Sequence, residues 1–594
     1  MPSQSTFESL DIPETDLFNF LYNRNDREFP RNKGIVPLLK AIHSLSSPVK
    51  VVFRDAESGK TRTWEQVFST AIDFGRGLSM RFGIGVGDVV LLVAENSIDY
   101  ASLVLGVLWS GATVSTANPN YTSIELEHQL RDTAAKVVLA KPQAAVKMAC
   151  QRLGVSTDRI IQVGDGAPTQ LTPNRWDDIA AEGRESSCMK PKVCPKDDIA
   201  FLVYSSGTTG LPKGVRLSHY NVVASTLQVR AAEGGNLTWN GSKTSPGIPL
   251  PSSTEGDIVL TCLPFFHIYG LSHMVLAPLY SGFQNLVMSS FEITRWCQLV
   301  QRHSVSYSYI VPPIALLLAN HPAPATYNLR SLRMVNSGAA PLPPDLITKV
   351  YRRTGIRVKQ SYGLSEASPC VFAPRWEDWE SAAGSAGKLL PNLEIRFCYV
   401  RDDDSHHDEV MEVAQGDPGE LQLKGPNIFL GYHNRHQESI EAFTKDGWFR
   451  TGDVGYLDRH GNLYITDRAK EMIKYKGFQI APAELESLLR QNPLIADVAV
   501  VGVDAIEKGT ELPRAYVVRQ ANISNKNGAT LDKEQEQEII HWLSSQVVKY
   551  KRLSGGVRFV QQIPRSPTGK ILRRVLKEQA RSELKSSISQ DSHL

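Results

Sequence analysis

Short apolar runs alternate with amphipathic stretches along most of the 594-residue chain. Such runs are typical of buried strands, and the stretches between them repeat with the period of a helix. The strands predicted in the middle of the chain are Ile258–Cys262, Asn285–Met288, Ser306–Val311, Arg333–Asn336 and Arg357–Gln360, and the helices include Glu292–His303 and Pro343–Thr354. This alternation predicts parallel α/β layers.

The pattern changes after about residue 467. A basic segment at 468–477 precedes a helix near Pro482, strands at Val498–Val503, Arg514–Arg519 and Val557–Gln561, a polar helix at Asp532–Tyr550 and a final basic helix. We therefore expect an α/β protein with a large N-terminal domain of layered α/β subdomains, residues 1–467, and a smaller C-terminal α+β domain, residues 468–594. Two polar segments are predicted loops: 235–247, a surface insertion or lid, and 402–408, a solvated charged run.

Composition narrows the class of protein. A net charge of +3 is too small to indicate nucleic acid as a main partner. The seven cysteines are scattered without the spacing of zinc ligands, and an odd, sparse count of cysteines is typical of a reducing compartment. The sequence shows no signal peptide and no apolar run of membrane-spanning length. Its last residues, Ser592-His593-Leu594, are a variant of the peroxisomal address Ser-Lys-Leu, so we expect a peroxisomal import receptor as partner and a peroxisomal location, with the cytoplasm as the alternative.

The segment richest in candidate chemistry is Ser205-Ser206-Gly207-Thr208-Thr209-Gly210-Leu211-Pro212-Lys213-Gly214. An apolar run, 199–204, leads into it, and Ser218 opens a helical pattern soon after it. Glycines expose backbone N–H groups, hydroxyls add donors and lysine adds charge, so a strand, this loop and a helix start predict a phosphate-binding layout. A P-loop NTPase is excluded because that motif has Ser or Thr directly after its Gly-Lys pair, whereas Lys213 lies between Pro212 and Gly214.

The loop resembles the phosphate loop of the acyl-adenylate-forming ligases, and within that superfamily the 4-coumarate:CoA ligases and their relatives. Further matching segments are 336–342, 360–366, 448–453, 467–479 and 564–571, and the resemblance extends from about residue 35 to residue 580. It implies an enzyme that activates a carboxylic acid with ATP and Mg2+ as acyl-AMP and then transfers the acyl group to CoA. It also implies that the C-terminal domain is mobile and rotates about Lys470 between the two steps.

The resemblance also implies the role of each matched residue. ATP or adenylate contacts fall on Ser205, Ser206, Gly207, Thr208, Thr209, Gly210, Lys213, Gly338, Ala339, Gln360, Ser361, Tyr362, Ser365, Asp453, Arg468, Lys470, Lys476, Gly477 and Gln479. Asp453 corresponds to the ribose ligand, an aspartate role common in nucleotide sites. The metal ligands are Thr208 and Glu366, and the catalytic residues are Lys570, Lys474, Thr209, Glu366 and His267. The acyl group is expected against His267, Tyr269, His273, Gly338 and Gly363.

Three departures and two alternative activities remain open at this stage. Ser361, Ser365 and His273 differ from the residues usual in the relatives. Ser365 keeps the hydroxyl of the usual threonine, whereas Ser361 and His273 leave the acid as aryl, phenylpropanoid or fatty. An enzyme that loads a carrier-protein thiol and a luciferase-like oxygenase share nearly all of these motifs. No carrier domain follows in this sequence, which favours free CoA as the acceptor.

Overall fold

The computed structural model describes residues 3–23, 50–166, 168–170, 172–205, 212–241, 244–252, 256–399, 411–468, 471–475, 478–505, 510–520, 528–566 and 569–591. The segment 402–408 lies outside them. The strands are β1 Ser3–Gln4, β2 Val51–Asp55, β3 Thr61–Thr63, β4 Val89–Val93, β5 Thr113–Ala117, β6 Val137–Ala140, β7 Ile160–Gln162, β8 Asn174–Arg175, β9 Ile199–Ser205, β10 Lys213–Ser218, β11 Ile258–Thr261, β12 Gln284–Val287, β13 Tyr307–Ile310, β14 Met334–Ser337, β15 Arg357–Gln360, β16 Tyr362–Gly363, β17 Cys370–Ala373, β18 Lys388–Leu389, β19 Glu394–Cys398, β20 Gly419–Lys424, β21 Phe449–Leu457, β22 Leu463–Arg468, β23 Ile473–Tyr475, β24 Phe478–Ile480, β25 Ile495–Ala505, β26 Thr510–Arg519 and β27 Val557–Phe559.

The α-helices are α1 Leu17–Tyr22, α2 Trp64–Phe82, α3 Tyr100–Trp109, α4 Ser123–Thr133, α5 Ala144–Arg152, α6 Trp176–Arg184, α7 His219–Glu233, α8 Ile268–Gly270, α9 Ala277–Ser281, α10 Ile293–His303, α11 Pro312–Asn320, α12 Pro344–Thr354, α13 His436–Glu441, α14 Pro482–Leu489, α15 Gly528–Ser544 and α16 Arg573–Asp591. A π-helical turn, Leu271–Leu276, joins α8 to α9. No helix in the described ranges has both the length and the apolar character needed to cross a membrane.

Two large sheets dominate the described part of the chain. One has the order β10-β9-β5-β4-β6-β7-β8 and the other β15-β14-β13-β11-β12-β2-β3. Each is parallel except for one edge strand, β10 in the first and β3 in the second. The parallel alternation predicted for residues 258–360 is therefore confirmed. Because parallel strands all end at the same edge of a sheet, the residues after β14 and β15 lie side by side.

Five antiparallel strands, β1-β19-β20-β21-β22, form a further sheet in the described residues. The C-terminal elements pack around β25-β26-β27 and have apolar clusters of their own. The buried members of one of these clusters lie between Ile473 and Val557, whereas the last buried member of the main N-terminal cluster is Leu463. The mixed α/β class with a smaller C-terminal unit agrees with the expected fold. The boundary between 467 and 468 stays a prediction.

The first residues of the chain, which precede the matched region, are part of the fold. Helix α1 buries Leu17, Phe18 and Leu21, and Asp16 caps it by accepting a hydrogen bond from the Asn19 N–H at 3.1 Å. The Leu17 N–H donates to Nδ1 of the buried His219 on α7 at 3.2 Å. The N-terminal segment thus stabilises the start of the helix that follows the phosphate loop.

The segment 235–247 packs against the protein rather than standing away from it. Leu237 is buried, and Thr244 Oγ1 accepts a hydrogen bond from the buried Arg333 guanidinium at 3.1 Å. Arg333 also pairs with Asp257 at 2.5 Å. Because a buried guanidinium must keep its partners, the described part of this insertion is tied to the core.

Candidate active site

The phosphate loop connects two antiparallel strands. Residues 206–211, which include Ser206, Gly207, Thr208, Thr209 and Gly210, lie outside the described residues. Lys213 pairs with Ser205 across β9 and β10, and α7 begins only after β10. The expected passage from strand to loop to helix start is therefore wrong in one respect. The alternating sequence 213–218 forms a strand before the helix, so the loop is not the helix N-terminus.

Lys213 is engaged in this structure by neighbours from residues 432–438. Its ammonium forms an ion pair with Glu438 and lies 5.2 Å from the centre of the Tyr432 ring. The Tyr432 hydroxyl also donates to Oε1 of Glu366 at 3.0 Å, so one ring links the loop lysine to the expected metal ligand. Sequence analysis missed Tyr432, although the aromatic residue in Phe429-Leu430-Gly431-Tyr432 is a signal that could have been followed.

Glu366 lies in a short turn whose backbone is fixed. Its carbonyl accepts the Phe429 N–H at 2.9 Å, and burial raises the pKa of its carboxyl above the usual range, against the lowering effect of the Tyr432 hydrogen bond. No cluster of three or more His, Cys, Asp or Glu in the described ranges could hold an ion by protein ligands alone. A single carboxylate completed by phosphate oxygens and water is the coordination that Mg2+ commonly takes, so Glu366 fits it.

The ends of β14 and β15 form the wall expected to hold adenine. Gln360 accepts the Leu342 N–H at 2.8 Å and so anchors the turn that follows β14. Ala339 in that turn has a φ of 74°, a conformation that is uncommon for a residue with a Cβ. Ser361 accepts a hydrogen bond from the Asn336 amide at 3.2 Å. Because the side-chain amide of Gln360 is already hydrogen-bonded to Leu342, Gln360 supports the turn.

Asp453 joins two of the other matched segments. The Tyr362 hydroxyl donates to its Oδ2 at 2.5 Å, and the Arg468 Nε lies 2.9 Å from its Oδ1. The carboxylate is only 4% exposed, and Asp453 and Arg468 face each other across β21 and β22. Asp453 raises the pKa of Arg468, and burial raises that of Tyr362, so the guanidinium stays charged and the phenol stays a donor. A carboxylate has about four acceptor positions, which leaves room for ribose hydroxyls.

Lys570 lies in a turn of the C-terminal unit that packs against α11 of the N-terminal unit. Its loop is closed by hydrogen bonds from the Ser566 N–H to the Lys570 carbonyl at 2.8 Å and from the Lys570 N–H to Ser566 Oγ at 3.2 Å. Gly569 lies so near α11 that an added Cβ would be 3.2 Å from Pro313. Burial, and secondarily the charge of Arg468, lowers the pKa of Lys570 to about 8, while Asp453 opposes the shift.

Aromatic rings line the expected acyl site. Tyr269 donates to the Asn336 carbonyl at 3.1 Å, and its ring contacts Gly338, where a Cβ would be 3.0 Å away. His267 Nδ1 accepts the Tyr269 N–H at 3.2 Å. The His273 ring lies 5.0 Å from Tyr269, is 2% exposed and has no partner for Nδ1 among the described atoms. Burial lowers the pKa of both histidines to about 4, so both are neutral near pH 7.

A buried ion pair that sequence analysis missed supports the aromatic residues of the expected acyl site. Lys359 on β15 lies 3.0 Å from Glu233 at the end of α7. Glu233 also accepts hydrogen bonds from the Trp376 indole at 2.5 Å and the Tyr307 hydroxyl at 3.4 Å. Tyr307 in turn contacts the ring of Tyr309 at 4.9 Å. The pair is satisfied by hydrogen bonds, as buried charges must be.

The remaining expected residues divide into two groups. Gly363 packs against backbone, where a Cβ would be 2.2 Å from the Pro369 carbonyl oxygen, and Ser365 lies in the turn with Glu366. Outside the described residues lie Lys470, Lys476 and Gly477, together with the side chains of Lys474 and Gln479.

Comparison with known proteins identifies the family. A model described as AMP-binding enzyme matches residues 43–433, and one described as AMP-binding enzyme C-terminal domain matches residues 484–570. A probable 4-coumarate–CoA ligase 1 of Dictyostelium discoideum is 34% identical over 559 residues, which cover 91% of this chain and 95% of that protein. The 4-coumarate–CoA ligase 3 of Arabidopsis thaliana is 36% identical over 526 residues, with coverages of 88% and 87%.

A solved structure extends the likeness to the fold. ATP-bound MatB from Rhodopseudomonas palustris has a TM-score of 0.76 and 25% identity, with 95% of this chain and 98% of that chain covered. The chain therefore belongs to the AMP-binding enzyme family and, within it, to the acyl-CoA ligases similar to 4-coumarate:CoA ligase.

Proposed function

We propose that this AMP-forming acid:CoA ligase holds its nucleotide between Asp453, Arg468 and Lys570. The enzyme uses ATP to activate a carboxylic acid and CoA to accept the acyl group, the activity of the family to which it belongs. The observation that carries the assignment of residues is the ion pair between Arg468 and the buried Asp453, which also accepts a hydrogen bond from Tyr362. This pair lies near enough to Lys570 for both charges to act on the pKa of that lysine. Asp453 would accept hydrogen bonds from the ribose hydroxyls. The same carboxylate would hold Arg468 next to the phosphates.

The first half-reaction requires two anions to meet. The carboxylate oxygen of the acid attacks the α-phosphorus of ATP in line, the bond from that phosphorus to the pyrophosphate oxygen breaks, and pyrophosphate leaves with the electron pair. Lys570 would hold the acid's carboxylate beside the α-phosphate and reduce their repulsion. Thr209 and the other loop residues would donate to the phosphates. Glu366 and Thr208 would hold Mg2+, which when bound neutralises part of the triphosphate charge.

In the second half-reaction the CoA thiolate attacks the acyl carbon and AMP leaves. We propose that the segment with Lys474, Lys476, Gly477 and Gln479 serves this step after rotation about Lys470. Such alternation lets one site catalyse two reactions through a domain motion. His267, which is neutral and held by the Tyr269 N–H, would close the acyl site between the steps.

We further propose that the acid is aryl or phenylpropanoid. The wall of Tyr269, His273 and Tyr309 presents aromatic rings whose centres lie 5.0 to 5.9 Å apart, and flat acids pack well on such rings. The matched proteins named 4-coumarate–CoA ligase support the same class. Gly338 leaves space for the ring of Tyr269 beside the substrate.

Lys570 gives the first half-reaction a pH dependence. The ammonium is the active form and exists below the pKa of about 8, so kcat/KM for acyl-adenylate formation should be level below pH 8 and fall about tenfold per unit well above it. Lys570→Arg, whose side chain keeps its charge, should remove that fall. Rates of pyrophosphate exchange, measured from about pH 6.5 to about pH 9.5, test this prediction. A wild-type profile that stays level throughout would contradict the role of Lys570.

Substitutions of the two lysines should separate the half-reactions. Lys570→Ala should slow acyl-adenylate formation by about 100- to 1,000-fold because a preorganised cation is lost, and should spare thioester formation from preformed acyl-adenylate. Lys474→Ala should show the reverse pattern. Single-turnover assays of each half-reaction measure both. Equal losses in the two steps for either variant would argue against alternation.

A panel of acids tests the substrate class. Aryl and phenylpropanoid acids should give AMP release with kcat/KM at least about tenfold above that of saturated fatty acids, because pocket fit discriminates by roughly this amount or more. Lys570→Ala serves as the control for release that does not depend on the site. Higher values for fatty acids would place the enzyme in a different substrate class.

We also propose that the chain enters peroxisomes through Ser592-His593-Leu594. A fluorescent protein fused to the N-terminus should show peroxisomal puncta by microscopy with the full chain and diffuse signal once these three residues are deleted. Puncta that persist after the deletion would rule out this tripeptide as the address.

A further inference from the structure

Asp467 lies where the N-terminal sheet meets the C-terminal unit. It belongs to β22, which pairs with β21 through Val454 opposite Asp467. The residue is 6% exposed, and its two carboxylate oxygens have separate partners. Oδ1 accepts the N–H of Arg468 at 2.7 Å, and Oδ2 accepts the N–H of Ala483 at 2.9 Å.

Ala483 is in the first turn of α14, a helix of the C-terminal unit. Helix α14 packs its Leu485 and Leu489 into the apolar cluster that also contains Val498 and Val500 of β25. Its N-cap residue, Ala481, has no side-chain acceptor. The helix therefore receives its capping carboxylate from β22, on the other side of the junction between the two units. A carboxylate at this position is favoured by both the hydrogen bond and the helix dipole.

Arg573 links helix α14, which Asp467 caps, to the segment that follows Lys570. It begins α16, three residues after Lys570, and its guanidinium lies 2.7 Å from Glu486 on α14 and 3.0 Å from Glu471. Burial raises the pKa of Asp467 to about 7, and the charge of Arg573 is the largest effect opposing that rise. The cap, α14 and the start of α16 thus form one charged cluster next to the loop that presents Lys570.

We propose that Asp467 is a positioning residue for acyl-adenylate formation: by capping α14 it holds the C-terminal unit in the orientation in which the Lys570 turn packs against α11. The inference rests on the role of Lys570 proposed above. It implies that the cap matters for the step that uses Lys570 and not for the transfer to CoA, for which the C-terminal unit takes another orientation.

The test compares Asp467→Ala with Asp467→Asn, which retains one acceptor without the charge. Asp467→Ala should slow acyl-adenylate formation by about 10- to 100-fold, since a misplaced catalytic group costs this much. Asp467→Asn should slow acyl-adenylate formation less. In both variants, the rate of thioester formation from preformed acyl-adenylate should change by less than about threefold. Hydrogen exchange of the Ala483 amide should accelerate in Asp467→Ala, as expected for a lost hydrogen bond.

Two further variants separate positioning from general stability. Asp458→Ala removes a carboxylate that caps the turn of the same β21–β22 hairpin, through His460 and Asn462, and should leave both half-reactions nearly unchanged. Added to Lys570→Ala, Asp467→Ala should cause no further loss in acyl-adenylate formation, because residues that act as a unit are not additive.

The outcomes are distinct. If Lys570→Ala slows acyl-adenylate formation but Asp467→Ala does not, the cap proposal alone is overturned. Equal losses in both half-reactions, or a fully additive loss in the double variant, also overturn it. If Lys570→Ala has no effect, the proposed function of that lysine fails and the cap proposal falls with it.

Discussion

The carboxylate of Asp453 is the point on which the rest of the site depends. It is buried, and the Tyr362 hydroxyl and the Arg468 guanidinium compensate for the loss of water around it. Tyr362 follows β15, Asp453 lies in β21 and Arg468 ends β22, so one carboxylate joins a parallel sheet to the antiparallel sheet. Burial lowers the pKa of Lys570 in the C-terminal unit, and of this pair of charges Arg468 adds to the shift while Asp453 opposes it.

Different contacts hold the two sides of this arrangement. The acyl wall is held from behind by the buried Lys359–Glu233 pair, and the turn after β14 is held by Gln360. On the C-terminal side, Gly569 of the Lys570 turn packs on Pro313, and Asp467 caps α14. The proposed rotation of the C-terminal unit would break these contacts between the two steps and form them again.

Much of this could be predicted from the sequence, and the failures have physical causes. Apolar periodicity predicted the strands from Ile258 to Gln360 because parallel strands are buried on both faces. The strand β10, Lys213–Ser218, was missed because a glycine-rich loop before a helix cap has the same composition whether or not a strand lies between them. The Lys359–Glu233 pair and Tyr432 were missed because their partners are distant in sequence and only packing brings them together. The phosphate-loop residues 206–211 and the tripeptide at the C-terminus stay predictions.

A crystal structure of the protein with AMP would test the central claim most directly. The account predicts that a ribose hydroxyl lies within hydrogen-bond distance of Asp453, with Tyr362 and Arg468 still in contact with that carboxylate and adenine against the turn at Gly338. A nucleotide whose ribose makes no contact with Asp453, or an Arg468 drawn away from the carboxylate, would contradict it.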